Sequence, residues 1–131
     1  MDRGTLVIEE IDAAAELARG FDKFAPVKAA FWVMTSDDRR KYFYLASDRI
    51  DDWNFDIAYK EIAKLVGEIR SPYIDPLRIH IINSDTPLVR AAVEINRRYP
   101  GPMGTRFGGD VFGGVSVDEV YVYPSPLPAA S

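Results

Sequence analysis

Val27-Lys28-Ala29-Ala30-Phe31-Trp32-Val33-Met34-Thr35 is the stretch on which the fold turns. In an extended chain, successive side chains alternate between two faces. Ala29, Phe31 and Val33 then share one face, and Ala30, Trp32 and Met34 share the other. Both faces are apolar, which predicts a central strand covered on both sides. Ser36-Asp37-Asp38-Arg39-Arg40 follows as a polar turn, and Tyr42-Phe43-Tyr44-Leu45-Ala46 returns as a second strand. A short polar turn between two aromatic runs predicts an antiparallel hairpin.

Upstream, Ile11 to Gly20 reads as a helix, with Asp12 as its cap, Ala13, Ala14 and Ala15 favouring it and Gly20 at its end. Thr5-Leu6-Val7-Ile8 reads equally as an extra helical turn or a short strand. Downstream, Asp51 or Asp52 caps a helix that runs to about Arg70, where Ser71-Pro72 stops it. Phe55, Ala58, Ile62, Leu65 or Val66, and Ile69 form its apolar face. Leu77, Ile79 and Ile81 alternate with Arg78 and His80, the pattern of a strand with one buried face. Thr86-Pro87 supplies an N-cap and a first-turn proline for a third helix, with an apolar stripe of Leu88, Ala91 or Ala92, Ile95 and Tyr99. Val115 to Tyr123 closes the chain as a strand whose alternation slips at Asp118-Glu119, which predicts a β-bulge or a bend.

The expected fold is a single α+β domain over residues 1–123. Its mixed sheet has four to five strands, an N-terminal antiparallel hairpin, later strands reached by helical crossovers, and about three helices. Residues 124–131, rich in proline, read as a flexible C-terminal tail.

Composition removes several function classes. The chain has 131 residues, 47% of them hydrophobic, enough for a core without a metal or disulfide staple. It has no cysteine, hence no thiol nucleophile and no thiolate metal site, and its single histidine, His80, excludes a multi-histidine centre. A net charge of −4 argues against a nucleic-acid partner, and the Arg39-Arg40-Lys41 run is offset by Asp37-Asp38. The first residues lack the pattern of a signal peptide, and no stretch is apolar for long enough to span a membrane. The expected location is the cytoplasm, with no cofactor.

Ala29-Ala30-Phe31-Trp32, Asp85-Thr86-Pro87-Leu88-Val89-Arg90-Ala91, Gly104-Thr105-Arg106-Phe107 and Glu119-Val120-Tyr121-Val122-Tyr123 together give the chain a resemblance to small bacterial proteins of unassigned function. These motifs are strands and caps, so the resemblance implies neither an activity nor a site.

The segment from Pro100 to Gly114 holds six of the nine glycines. It follows a helix and precedes a strand, the reverse of a phosphate loop, and lacks the Gly-Lys-Ser/Thr ending. Its repeated Phe-Gly-Gly reads as hairpin turns or a flexible loop, with a ligand-covering loop as the alternative. Arg106 is its one cation. His80 lies beside Arg78 on the polar side of its strand, but Ser84 and Asp85 are explained as turn and cap residues, which leaves His80 without a nucleophile to serve. Asp51, Asp52 and Asp75 sit in cap and turn contexts, and Glu61 and Lys64 lie on a helix rather than on paired strands. No catalytic residue and no metal ligand is assigned.

Two functional expectations follow. The first is a non-enzymatic protein-interaction or homodimerising module, with Tyr121 and Tyr123 on an edge strand as its interface. The second is a small-ligand-binding protein or small enzyme with a pocket near Arg78, His80, Arg106 and Tyr121.

Overall fold

The strand Ala29–Thr35 (β1) lies in the middle of a mixed sheet in the computed structural model, which describes residues 6–37, 40–125 and 127. β2 is Lys41–Ser47, β3 Ile79–Asn83, β4 Thr105–Phe107, β5 Asp110–Phe112 and β6 Val115–Val122. The strand order is β3-β2-β1-β6-β4, with β5 also paired to β6. β1 pairs antiparallel with β2, as the hairpin pattern predicts, and β2 pairs parallel with β3. Six strands exceed the expected four to five, because the glycine-rich segment itself supplies two strands of three residues.

Three helices cover the two faces. α1 is Ile8–Phe24, α2 Phe55–Ile69 and α3 Pro87–Arg98. α1 and α2 pack on the face carrying Ala30, Trp32, Phe43, Leu45, Ile79 and Ile81. α3 packs on the other face, against Phe31, Val33, Ala46, Val120 and Val122. Ala29 to Met34 are therefore all buried, because this strand lies between two cores. Of the expected crossovers, the one through α2 joins the parallel neighbours β2 and β3. α3 instead carries the chain from one edge of the sheet to the other.

The phase slip in β6 is a bulge. Met34 pairs with Glu119 but Thr35 pairs with Val117, which leaves Asp118 as the extra residue. The bulge brings Val115, Val117, Val120 and Val122 onto the α3 face and leaves Glu119, Tyr121 and Tyr123 toward α1. β5 and β6 form a hairpin through Gly113-Gly114, whose φ values of 58° and 85° suit the tight turn that matches strand twist. Phe107 and Phe112 meet at 5.8 Å between ring centroids, under α3.

Several local expectations need correction. α1 starts at Ile8, where Glu10 Oε1 accepts the Val7 amide at 3.0 Å, so Asp12 lies inside the helix and caps nothing. Gly20 does not end the helix. It lets α1 approach α2 closely, since a Cβ there would stand 2.8 Å from Leu65 Cδ2. α2 starts at Phe55, after a turn in which Asp51 Oδ1 accepts the Trp53 amide at 2.9 Å, so neither Asp51 nor Asp52 is the cap residue. Leu77 is 84% exposed in a 3-10 turn, Pro76–Arg78, ahead of β3, rather than on the buried face of the strand. In α3, Val89 is the residue buried alongside Ala92, whereas Tyr99 is exposed. The Thr86-Pro87 start is as read, with Thr86 Oγ1 accepting the Val89 amide. Pro124 is buried, Ser125 is exposed and Leu127 packs against the α1 side of the core; residues 126 and 128–131 of the expected tail lie outside the described residues.

Among the described residues, no helix is long and apolar enough to cross a membrane.

Candidate functional site

A groove of about 280 Å³ opens where the start of β2, the turn before β3 and the first turn of α1 meet. Glu10, Trp32, Arg40, Lys41, Tyr73, Asp75 and Arg78 line it. Parallel pairing places it: with Phe43 opposite Ile79, the residues preceding each strand fall side by side. Lys41 then lies near Arg78, and α1 brings Glu10 over both. Lys41 Nζ donates to both carboxylate oxygens of Glu10, at 2.9 and 3.0 Å. Arg78 Nε stands 3.8 Å from Asp75 Oδ2, and its guanidinium carbon lies 5.6 Å from the centre of the Tyr42 ring.

The groove carries three cations against two carboxylates, on a chain whose net charge is −4. Low-dielectric walls concentrate such a local field. The buried wall is Trp32, whose ring is tilted 5.3 Å from Phe43. Trp32 Nε1 donates to the Tyr123 hydroxyl at 3.1 Å, and that hydroxyl donates to the Ile11 carbonyl at 2.6 Å. Burial holds the Tyr123 hydroxyl protonated far beyond the ordinary tyrosine range. Below the groove, sharing Trp32, Asp75 and Arg78 with it, runs a narrow cleft walled by Leu17, Phe43, Ile74 and Ile79.

The residues singled out from sequence fall in three places. Arg78 belongs to the groove. His80 lies on β3, with its ring stacked 5.3 Å from Tyr44 and tilted 5.2 Å from Tyr42, on the α3 face of the sheet. Desolvation lowers its pKa from 6.5. Arg106 and Tyr121 are direct cross-strand partners on β4 and β6, facing α1. Arg106 donates to the Leu6 carbonyl at 2.6 Å and stands 3.0 Å from Glu119 Oε2, while Glu119 Oε1 accepts the Leu6 amide at 2.9 Å. Arg106 thus holds the entry to α1. Tyr121 lies beneath Gly104, where a Cβ would collide with its ring, and desolvation raises its pKa.

The structure brings Arg106 to Tyr121, and Arg78 to the Tyr42 ring that meets His80. It leaves the two pairs on opposite sides of β1, with Tyr121 three and Arg106 four strand spacings from β3, roughly 14 and 19 Å. The pocket expected among all four residues is therefore not assembled.

The expected tyrosine interface also needs correction. β6 is flanked by β1 and β4, not at an edge, and Tyr123 is 2% exposed with its hydroxyl engaged inside the core.

No family model, no curated protein and no solved structure matches this chain.

Glu10, Trp32, Arg40, Lys41, Tyr73 and Asp75 escape a reading of the sequence as site residues. Arg40-Lys41 is visible as a basic run, but beside Asp37-Asp38 it reads as a solvated turn. The parallel register of β2 and β3 brings Arg40 and Lys41 to Arg78, while α1 and β1 add Glu10 and Trp32. Among the described residues, no group of three His, Cys, Asp or Glu side chains is placed to hold a metal ion.

Proposed function

We propose that the protein binds a small organic anion in the groove between α1, β2 and the turn before β3. The observation that carries this reading is the convergence of Arg40, Lys41 and Arg78 on one cavity that also has Trp32 and Tyr73 in its lining. Its volume of about 280 Å³ is just below the roughly 300–1,000 Å³ of drug-sized sites, which favours a small molecule. Guanidinium and ammonium groups recognise carboxylate and phosphate oxygens by charge-assisted hydrogen bonds. An acidic chain without cysteine supports a cytoplasmic setting and no nucleic-acid partner.

Isothermal titration with acetate, benzoate and inorganic phosphate tests the reading. Binding of at least one of these anions, weakened by Lys41→Glu, is expected. Failure of all three to bind the wild-type protein at millimolar concentration overturns it.

A second reading, self-association or a protein partner, draws on a different surface from the tyrosines. Trp53 is 93% exposed and Ile57, one helical turn further on, is 56% exposed on the outer side of α2. Aromatic residues are enriched in interface cores. Light scattering over a dilution series checks it: a concentration-dependent dimer that Trp53→Asp abolishes is expected, and a monomer throughout sinks the self-association form.

A further inference from the structure

We infer that the Glu10 carboxylate stands in on Lys41 for the ligand's carboxylate, and that the ligand is a small carboxylic acid with a flat apolar body. The inference rests on the anion-binding reading of this groove. Lys41 Nζ reaches both oxygens of Glu10, at 2.9 and 3.0 Å, so the ammonium is already oriented toward a carboxylate. Glu10 Oε1 also accepts the Val7 amide at 3.0 Å. When an incoming carboxylate takes over Lys41, Glu10 keeps that capping bond, so displacement leaves the start of α1 intact.

The surroundings select the rest of the ligand. Trp32 and Tyr73 give the groove aromatic walls, suited to a flat apolar body. The adjoining cleft, with Leu17, Phe43, Ile74 and Ile79 in its walls, is mostly apolar and has room for no more than about one water-sized group. Inorganic phosphate has nothing to place against either surface. Glu10 and Asp75 stay as fixed negative charges at the mouth, so a monoanion meets less repulsion than a dianion. Glu10 is on this account a built-in competitor that sets both the affinity and the charge of what binds.

Titration of benzoate, its neutral analogue benzamide and phosphate into wild-type protein and Glu10→Gln tests this. Glutamine keeps an oxygen for the Val7 amide and removes the competing charge. Benzoate is expected to bind E10Q up to about fivefold more tightly than wild type, the scale of one partly exposed ion pair removed. Benzamide should bind neither protein, and phosphate should bind more weakly than benzoate. Lys41→Met, and independently Arg78→Gln on the exposed turn, should weaken benzoate binding in both backgrounds. Unchanged or weaker binding to E10Q, with Lys41→Met still disrupting it, overturns the stand-in role and leaves the groove reading in place. Tighter binding of phosphate or benzamide than of benzoate overturns the assigned ligand class. Absence of anion binding to both proteins overturns the groove reading and this inference together.

Discussion

Trp32 Nε1 and the Tyr123 hydroxyl meet at 3.1 Å inside the core between the sheet and α1, linking the central strand to the last residue before the proline-rich end. The same hydroxyl donates to the Ile11 carbonyl at 2.6 Å, so one oxygen joins β1, α1 and the end of β6. Phenylalanine at 123 would keep the ring and its packing but leave the indole N–H without a partner. An unsatisfied buried polar group costs about 1–3 kcal/mol. Tyr123→Phe should lower the urea midpoint by that much stability with an unchanged m-value. A variant as stable as the wild type would show that the hydroxyl contributes nothing net.

His80 provides a pH prediction. Stacking on Tyr44 and a tilted contact with Tyr42 keep it half-buried, and desolvation places its folded pKa below 6.5. In the unfolded chain it takes up its proton near 6.5, before the folded protein does. Between those two pH values the unfolded state binds more protons, so stability falls as pH drops through that window and is regained as pH rises to 6.5. NMR titration of the imidazole should give a midpoint under 6.5. His80→Phe keeps a stacking ring and should flatten the stability profile in that window. A midpoint at or above 6.5 contradicts the desolvation argument.

The parts of the fold legible in the sequence are those set by alternation and caps. Ala29 to Met34 announce a strand buried on both faces, Thr86-Pro87 a helix start, and the Val117 to Val120 slip a bulge. Each depends on neighbours a few residues away. The groove depends on residues that α1, β2 and the turn before β3 bring together. Lys41 and Arg78 become neighbours only through a parallel register that no local pattern encodes. Tyr121 and Tyr123 misled for a related reason. Strand tyrosines look alike at an edge and in a core, and the pairing of β6 with both β1 and β4 decides between them.

Arg106 reads in sequence as one of four residues near a ligand pocket, and its geometry makes it a clamp instead. Its guanidinium holds the Leu6 carbonyl at 2.6 Å and Glu119 at 3.0 Å, while Glu119 holds the Leu6 amide at 2.9 Å. Arg106→Ala should therefore speed amide exchange at Leu6 and in the first turn of α1, and cost about 1–3 kcal/mol. Arg106→Lys, which keeps charge but loses the planar fork, should restore part of that. Unaltered exchange at Leu6 in Arg106→Ala would show that the clamp does not restrain the helix start.

Gly113 and Gly114 form one turn but should respond differently to alanine. Both have positive φ, 58° and 85°, where a side chain costs roughly 1–2 kcal/mol. Gly114 faces open space, with nothing within 4 Å of a built Cβ. At Gly113 the same Cβ would stand 2.8 Å from Leu88 Cα and 2.9 Å from Leu88 N, both backbone atoms at the start of α3. Backbone at a helix start cannot rotate away as a flexible side chain would, so the hairpin or α3 must shift, and with it the Phe112 and Val89 packing beneath. Gly114→Ala should show the conformational cost alone, and Gly113→Ala should lose at least about 1 kcal/mol more, the scale of overpacking a tight contact. Equilibrium denaturation of the two variants side by side measures the difference. Equal stabilities would mean that the hairpin moves away from α3 without cost, and that its contact with Leu88 does not fix the position of α3 on the sheet.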